Sequence, residues 1–254
     1  MKTFIIKASD IAACIGYNKF KDVNDLSDEY CNKLRLLFGK QKVPSKQDDI
    51  LDVIKEKLPD LSDMVDITVK DIAKLDNDEI SEIVKSTKET ISSNKELTKT
   101  QKEDTFEELK SKIYRKFGEV SEEKTSEKII KETSKKLIKD NKFYKLEIYE
   151  TDDVKFIIYG RIDRIECNED GSKVLIEIKN RMNRLFKYVP KYELVQVQIY
   201  MRLINLDNAK LVEQYKDDIY THIIKRDDIL INDILSKLKL FCENVYTKSQ
   251  IVNR

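Results

Sequence analysis

The stretch VLIEIKNR at residues 174–181 decides the fold, because it has the composition of a buried β-strand that two charged residues interrupt. Its aliphatic residues suit a sheet, yet Glu177 and Lys179 stand two positions apart among them. Residues i and i+2 of a strand point to the same face. The stretch therefore predicts a carboxylate and an ammonium group side by side at the end of an apolar run.

A hairpin turn before this strand predicts which residue faces Glu177. The segment CNEDGS contains Asp170 followed by Gly171, a pair typical of short hairpin turns. A turn centred near residue 170 sets Asp163 opposite Glu177, since each lies seven positions from that centre. The Cβ atoms of directly opposed residues are about 4.5–5.5 Å apart, so the two carboxylates would lie close together.

Two interpretations of this acidic pair are open on the residues alone. In the first, a divalent cation lies between Asp163 and Glu177. Mg²⁺ suits such a site because it takes a few carboxylates together with water and phosphate oxygens. In the second, Arg161 and Lys179 join the two acids in a ladder of salt bridges on a solvated face of the sheet.

The overall charge of the chain gives no sign of a polyanionic partner. Its 254 residues carry a net charge of only +1, so a nucleic-acid surface would have to be local. No apolar run approaches the roughly 18 residues of a membrane span, and the N-terminus lacks the features of a signal peptide. The four cysteines have no metal-binding spacing and indicate a reducing compartment. We therefore expect a protein of the cytoplasm, or of a host cell's interior, that is not secreted and has no membrane partner.

The chain divides into three parts by composition. Residues 1–40 are expected to form an N-terminal helical element, and residues 41–120 a charged region of short amphipathic helices. Within that region, residues 85–104 are so poor in apolar side chains that disorder is an alternative. Residues 121–254 alternate helix and strand, which predicts an α/β (α+β) core with a mixed sheet flanked by helices. The predicted helices of this core cover 121–140, 192–205 and 228–246, and the predicted strands cover 143–150, 154–166, 173–179 and 218–225.

A basic and aromatic segment at residues 179–192 includes the end of the charged strand. It lacks acidic residues and mixes five cationic side chains with three aromatic rings. Cationic groups neutralise phosphates and aromatic rings stack on unpaired bases, so the segment predicts a local nucleic-acid surface. A solvated basic loop whose rings merely pack is the alternative. The side chains are Lys179, Arg181, Arg184, Lys187, Lys191, Phe186, Tyr188 and Tyr192.

The N-terminal segment offers a second contact for a phosphate. Ser9 is expected to cap the helix that begins with DIAACIG, and the backbone N–H groups at a helix N-terminus attract anions. Lys7 precedes this cap and would add a positive charge.

The spacing D-x13-E-x-K, formed by Asp163, Glu177 and Lys179, resembles the signature of the PD-(D/E)XK nucleases. Gln196 and Tyr200 in QVQIY match the Q-x3-Y element of one branch of that superfamily. This branch contains λ exonuclease, YqaJ-type viral recombinases and RecB-type nuclease domains. The N-terminal sequence KASDIAACIGYNKF is similar to the opening element of the YqaJ group.

The resemblance is partial. It covers residues 5–20 and 121–205, whereas residues 41–117 match no family element. The proline that opens the signature is absent, because Ile162 precedes the aspartate here, a departure that this loose family tolerates.

The resemblance implies a restriction-endonuclease-like core that hydrolyses DNA phosphodiester bonds with the help of a metal. The two carboxylates would hold Mg²⁺ or Mn²⁺, and the lysine would orient the attacking water or stabilise developing charge. The glutamine would position the lysine or a phosphate, and the tyrosine would pack behind it. The residues implied are Asp163, Glu177, Lys179, Gln196 and Tyr200, with the carbonyl of Ile178 as a further metal ligand.

The family also implies a carboxylate from the helix before the sheet. With Ile130 taken as the centre of the apolar stripe of that helix, Glu127 lies within about 80° of it at 100° per residue. Glu127 is therefore the expected additional metal ligand, and Glu123 is the alternative.

The resemblance further implies how the protein acts. It would be an exonuclease that works from duplex ends or on a single strand, in recombination, repair or viral DNA processing. The chain is expected to assemble into a ring-shaped trimer, and a single-strand annealing protein is its expected partner. A structure-specific or RNA-cleaving endonuclease and a noncatalytic nucleic-acid-binding module are the alternatives, although the intact D…E-x-K argues against the module. The side chains expected to contact nucleic acid are Lys7, Ser9, Arg161, Arg181, Arg184, Lys187 and Lys191.

Overall fold

Helices and strands fill most of the computed structural model, which describes residues 1–251. The strands are β1 (Lys2–Lys7), β2 (Lys136–Ile138), β3 (Tyr144–Glu150), β4 (Val154–Gly160), β5 (Arg164–Cys167), β6 (Lys173–Asn180), β7 (Asn208–Tyr215) and β8 (Asp218–Lys225). The helices are α1 (Ile11–Cys14), α2 (Val23–Leu37), α3 (Lys46–Lys57), α4 (Pro59–Asp71), α5 (Asn77–Ser93), α6 (Lys99–Thr133), α7 (Lys191–Ile204) and α8 (Asp228–Gln250). None of the helices described has the length and apolar composition that crossing a membrane requires.

The strands form two sheets. β1, β4 and β3 make a three-stranded sheet in that order, and β2, β5, β6, β7 and β8 make a five-stranded sheet. The chain passes from the first sheet to the second at residues 161–163, between β4 and β5. β6 and β7 are parallel, and α7 is the crossover helix between them. The predicted α/β class with a mixed sheet flanked by helices is confirmed.

The pairing of β5 with β6 confirms the predicted hairpin register. Arg164 pairs with Ile176, so the next position along sets Asp163 against Glu177. The turn contains Gly171 at a φ of +83°, a left-handed backbone conformation that glycine adopts without strain. The two acids therefore lie at the point where the chain enters the five-stranded sheet.

The helix predicted over residues 121–140 is wrong at both ends. α6 begins at Lys99 and is capped by the side chain of Thr98. It ends at Thr133, and residues Lys136–Ile138 form β2 instead. β2 is set by its antiparallel pairing with β5, which a local sequence pattern does not reveal.

Residues 1–40 were predicted to form a helical element, but they begin with a strand. β1 pairs in parallel with β4, from Lys2 beside Val154 to Lys7 beside Tyr159. Only after this strand do α1 and α2 follow. The start of the chain therefore completes the smaller sheet.

The larger sheet contains a strand that the sequence pattern does not predict. β7 includes Ala, Lys, Glu and Gln among its eight residues, and these residue types suit strands poorly. It forms because it pairs with both β6 and β8, which bury its central residues. The continuous strand predicted over residues 154–166 is also wrong, since the chain changes sheet at residues 161–163.

Residues 41–117 form amphipathic helices, as predicted, with an apolar cluster of their own. α3, α4, α5 and the first half of α6 bury aliphatic side chains such as Val65, Ile80 and Ile113. Residues 85–104 lie mostly in α5 and α6, in place of the alternative of disorder. The boundary near residue 120 stays a prediction, and α6 runs through it without a break.

A glycine allows β4, the N-terminal segment and α7 to approach closely. A Cβ atom on Gly160 would lie 2.9 Å from both Ala8 Cβ and Tyr200 Cε1. Ala8 and Tyr200 belong to the main apolar core, to which α2, α7 and α8 also contribute. This approach fixes α7, which carries two of the expected site residues, against the smaller sheet.

Candidate active site

A chain of hydrogen bonds joins four of the expected site residues. Lys179 Nζ donates to Glu177 Oε1 at 2.7 Å and to Gln196 Oε1 at 3.0 Å. Gln196 Nε2 donates to the Tyr200 hydroxyl at 3.1 Å. Strand alternation puts the first two residues on one face of β6, and four-residue spacing puts the other two on one face of α7. The four side chains therefore meet between β6 and α7.

Asp163 joins this group from the connection between β4 and β5. Its Oδ2 accepts from the backbone N–H of Ile178 at 2.8 Å, which holds the carboxylate beside β6. Glu177 is only 2% exposed, and its Oε2 has no hydrogen-bond partner among the described residues. A buried carboxylate oxygen without a donor is costly, and a cation is the partner that would compensate it.

The pKa values of the site residues reflect the same crowding of negative charge. Burial, followed by the Glu177 and Glu122 carboxylates, raises the pKa of Asp163 well above its ordinary value. Burial also raises the pKa of Glu177, although Lys179 opposes this shift. Burial disfavours the charged form of Lys179, but the neighbouring carboxylates outweigh it and raise the pKa of the lysine. Lys179 is therefore an ammonium ion at neutral pH.

Glu122 on α6 is a helix carboxylate near these acids that the sequence did not single out. Its Oε1 accepts from Arg164 Nη1 at 2.6 Å, and the same guanidinium donates through Nη2 to Glu123 Oε2 at 2.7 Å. Arg164 Nη1 also donates to the Asp163 carbonyl at 2.6 Å. This buried arginine ties α6 to the backbone at Asp163, and Glu122 lies within electrostatic range of Asp163 and Glu177.

The structure does not bring Glu127 to this group, and the prediction that it lies on the apolar side of its helix is wrong. That prediction took Ile130 as the centre of the buried stripe, but Ile129 is buried and Ile130 is 40% exposed. A shift of one residue turns the stripe by about 100°. Glu127 is consequently exposed. A stripe centred on Ile129 is the signal that would have pointed to Glu122, seven residues earlier on the same face.

The oxygen atoms of the site fit a hard divalent cation. Mg²⁺ and Mn²⁺ prefer carboxylate, carbonyl and water oxygens, which Asp163, Glu177 and the Ile178 carbonyl would supply. Within residues 1–251, no three Asp, Glu, His or Cys side chains converge as a closed metal cage. A site with two carboxylates is instead an open one, of the kind in which water and phosphate oxygens complete the coordination of Mg²⁺.

Two cavities lie around the site. A cleft of about 130 Å³ is bordered by Asp163, Glu122 and Arg161, and Arg161 is exposed in its wall. The expected contact of Arg161 with nucleic acid stays a prediction. A larger cavity of about 360 Å³ lies between α5, α6 and the ends of β6 and β7, and its described lining includes neither Asp163 nor Glu177.

Arg181 is buried in an ion-pair network, which contradicts its expected contact with nucleic acid. Its Nη1 and Nη2 donate to Glu193 Oε1 and Oε2 at 2.6 and 2.8 Å, and its Nε donates to Glu213 Oε2 at 3.3 Å. The Phe186 ring covers the guanidinium, with its centroid 4.0 Å from Cζ. Carboxylates and an aromatic face occupy the guanidinium, so it is not free to bind a phosphate.

The other cationic residues expected at nucleic acid are exposed. Lys7, Arg184, Lys187 and Lys191 all reach solvent, and their contacts with nucleic acid remain predictions. Ser9 does not cap a helix as expected, because it lies inside a single 3-10 turn and no side chain caps α1.

The fold and the site together define a class of proteins. A sheet that is entered at an aspartate, with a Glu-x-Lys strand beside it and a glutamine bonded to the lysine, is the arrangement that the sequence resemblance implies for a nuclease. The family model described as the PD-(D/E)XK nuclease superfamily matches residues 41–239. The chain therefore belongs to this superfamily. The match includes the helical region at residues 41–117, for which the sequence motifs offered no resemblance.

Solved structures of exonucleases are similar to the chain. The alkaline exonuclease LHK-Exo from Laribacter hongkongensis matches 96% of this chain and 89% of its own at 14% identity, with a TM-score of 0.50. A phage-related exonuclease from Haemophilus somnus 129PT matches 98% of this chain and 96% of its own at 14% identity, with a TM-score of 0.45. No curated protein sequence is significantly similar to the chain. At this level of identity, the likeness to LHK-Exo establishes the fold.

Proposed function

We propose that the protein is a metal-dependent nuclease that hydrolyses DNA phosphodiester bonds as an exonuclease from duplex ends. The observation that carries the proposal is the meeting of Asp163, Glu177 and Lys179, with one Glu177 oxygen buried and unpartnered among the described residues. Membership of the nuclease superfamily supports the chemistry. The shared fold of an alkaline exonuclease supports action at DNA ends.

Each side chain has a role that its position supports. Asp163, Glu177 and the Ile178 carbonyl would hold Mg²⁺ or Mn²⁺, which supplies a bound water of lowered pKa and neutralises charge on the scissile phosphate. Lys179 stays protonated beside Glu177, so it can donate a hydrogen bond to the attacking water or to a phosphate oxygen. Gln196 accepts a hydrogen bond from Lys179 Nζ, which fixes the direction of the ammonium group.

Tyr200 acts as a positioning residue for this lysine. Its hydroxyl accepts from Gln196 Nε2, and this bond turns the amide so that its oxygen faces Lys179. Burial and the nearby Glu177 charge raise the pKa of Tyr200, so its hydroxyl stays neutral at all ordinary pH values. Loss of the tyrosine proton therefore does not disturb this bond at ordinary pH.

Cleavage assays with single-residue variants test the proposal. Asp163→Ala, Glu177→Ala and Lys179→Ala should each reduce cleavage of end-labelled duplex DNA in Mg²⁺ by at least ~100-fold, with an unchanged circular dichroism spectrum. EDTA should abolish cleavage by the wild type. Glu169→Ala is the matched control, because it removes an exposed carboxylate from the turn of the same hairpin. Unchanged turnover in any of the three variants would remove that residue from the chemistry.

The choice of substrate separates the exonuclease from its alternatives. Linear duplex, single strand, RNA and covalently closed circles would be compared in Mg²⁺ and in Mn²⁺. We expect linear DNA to be degraded from its ends while closed circles survive. Cleavage of closed circles would identify an endonuclease, and preferential cleavage of RNA would refute the assignment to DNA.

The proposal includes an assembly and a setting. A ring-shaped trimer would keep the enzyme on one DNA molecule, and a single-strand annealing protein would receive the strand that remains. The nuclease would take part in recombination, repair or viral DNA processing inside a cell. Sedimentation equilibrium tests the trimer, since the mass of a single chain at micromolar concentration would exclude it.

A further inference from the structure

We propose that the rings of Phe20 and Tyr192, called here the aromatic platform, bind unpaired bases of the DNA strand that enters the active site. The inference rests on the proposed nuclease function and specifies that the strand is unpaired where it enters that site. It also reaches beyond the basic segment at residues 179–192, because Phe20 comes from the N-terminal part of the chain.

The platform lies on the same face of α7 as the site residues. Tyr192, Gln196 and Tyr200 follow one another at four-residue spacing, which aligns them along one side of the helix. Gln196 accepts from Lys179 Nζ at 3.0 Å, so Tyr192 stands one helical turn from the residue that holds the catalytic lysine. Burial chiefly raises the pKa of Tyr192, and the Lys179 charge is close enough to oppose that shift.

Phe20 extends the platform into solvent. Its ring meets the Tyr192 ring edge-on, with the centroids 5.8 Å apart and the planes at 82°. The Phe20 side chain is 70% exposed, so the apolar core makes little use of it. A T-shaped contact covers at most one face of either ring, and the face is the part of an aromatic ring that stacks on a base.

Lysine ammonium groups lie over two aromatic rings of this part of the molecule. Lys19 Nζ lies 5.1 Å from the Phe20 ring centroid, and Lys191 Nζ lies 3.4 Å from the ring centroid of the neighbouring Tyr17. Two further exposed cations lie in the connection from β6 into α7. The phosphates that join stacked bases require such charges, so the surroundings fit a polyanion and disfavour an apolar peptide.

A second exposed ring lies in the connection between β6 and α7. Tyr188 is 60% exposed and stacks on Phe186, with the centroids 5.7 Å apart and the planes at 20°. Phe186 in turn packs on the buried Arg181 guanidinium, which holds the pair of rings in place. Tyr188 therefore offers a further stacking surface to a strand that follows this connection.

The occupant is an unpaired strand because paired bases are already stacked on one another. Within a duplex, bases present only their edges to a protein, whereas ring faces stack on bases that have left the helix. Base–aromatic stacking contributes about 1–3 kcal/mol per base and tolerates every sequence. Such binding suits a nuclease that has to accept whichever bases follow the cut.

Binding measurements in EDTA test the platform without requiring cleavage. The affinity for a duplex with a single-stranded tail and for the same duplex with blunt ends would be measured for the wild type, Phe20→Ala and Phe20→Trp. Phe20→Ala should weaken binding of the tailed duplex about 5- to 150-fold and that of the blunt duplex less than about twofold, whereas Phe20→Trp should retain the affinity. Ile67→Ala is the matched control, because it removes a 60% exposed apolar side chain from the helical region.

An abasic-site series locates the base that the platform holds. Each base of the tail is removed in turn. At one position, removal of the base should weaken binding by the wild type but should not weaken binding by Phe20→Ala any further. The same series with Tyr188→Ala should identify a second position. Equal losses on tailed and blunt DNA, or no coupled position, would overturn the platform. If the wild type cleaves no DNA with any metal tested but the coupled base position is still found, the nuclease function would be overturned and the platform would be supported.

Discussion

Replacing Arg181 by methionine removes the cation that two buried carboxylates share. The guanidinium donates to both oxygens of Glu193 and to one oxygen of Glu213. Glu193 is 3% exposed and Glu213 is fully buried. Methionine fills a similar volume but donates no hydrogen bond, so the variant leaves the Glu193 carboxylate buried and without this partner.

The expected cost is about 3 kcal/mol in the free energy of unfolding. Breaking a buried ion pair by removing one partner costs about 3–5 kcal/mol, because the remaining charge stays desolvated. The lower end applies, since Glu213 keeps the hydrogen bond from the Phe186 N–H at 2.6 Å and its contact with His222 at 2.8 Å. The double variant Arg181→Met/Glu193→Leu should recover most of the loss, because neither charge then remains unpaired.

Urea denaturation at neutral pH measures this loss, with the m-value as a check that both transitions expose similar surface. Arg184→Met is the matched control, since Arg184 lies in the same connection but is exposed, and its loss should stay within about 0.5 kcal/mol. The salt dependence of DNA binding should be the same for Arg181→Met and the wild type, because a guanidinium held by carboxylates neutralises no phosphate.

Two results would refute this reasoning. A loss below about 1 kcal/mol in Arg181→Met, together with a flatter salt dependence of DNA binding, would show that Arg181 contacts phosphates, as its sequence context predicts. A double variant that is no more stable than Arg181→Met would show that Glu193 is not the residue destabilised by the loss of the cation.

Three further changes test the site and its supports. Glu122→Gln should weaken Mn²⁺ binding in a calorimetric titration by about 10-fold or more, whereas Glu127→Gln should not, because only Glu122 acts on the site acids; equal effects would contradict the geometry. Gly160→Ala should lower the cleavage rate and cost about 1–3 kcal/mol of stability, because a methyl group there displaces Tyr200, and unchanged values of both would refute the close approach. Burial acts to raise the pKa of Glu166, but two lysine ammonium groups outweigh burial and lower that pKa. The stability that the Glu166 carboxylate contributes is therefore present above its unfolded pKa and is lost as the pH falls through its folded pKa. Urea denaturation at decreasing pH should therefore show a steeper fall for the wild type than for Glu166→Gln, and parallel curves would refute the assignment.

The register of the acidic hairpin was predictable from sequence because two local signals agree. A turn residue pair fixes the centre of a short hairpin, and strand alternation then fixes which side chains share a face. Asp163 and Glu177 were placed opposite each other on these grounds, and the pairing of Arg164 with Ile176 confirms it. Neither signal depends on a residue that is distant in the chain.

The helix acid was not predictable with the same reliability, because helical phase is sensitive to a single position. The adjacent residues Ile129 and Ile130 are chemically equivalent in the sequence, and only packing against β6 and β7 distinguishes them. Ile129 packs there, so the face that carries Glu122 turns toward the site and Glu127 turns toward solvent. The missed strand β7 has the same origin, since its partner β6 is separated from it by a crossover helix.

Residue type alone does not distinguish a buried glutamate with a structural role from one with a functional role. The folded structure distinguishes them by the partners of their carboxylate oxygens. Four glutamates are buried among the described residues. Glu193 has both oxygens bonded to one guanidinium, and Glu166 and Glu213 have both oxygens paired with cationic or N–H groups. The pKa values of Glu166 and Glu213 are correspondingly lowered in spite of burial, whereas burial raises the pKa of Glu177. Glu177 alone in this set keeps an unpartnered oxygen, and it does so beside a second carboxylate. The fold pairs both oxygens of three buried acids but leaves one oxygen of Glu177 without a donor, which is costly in stability at that position. The proposed divalent cation would compensate that oxygen.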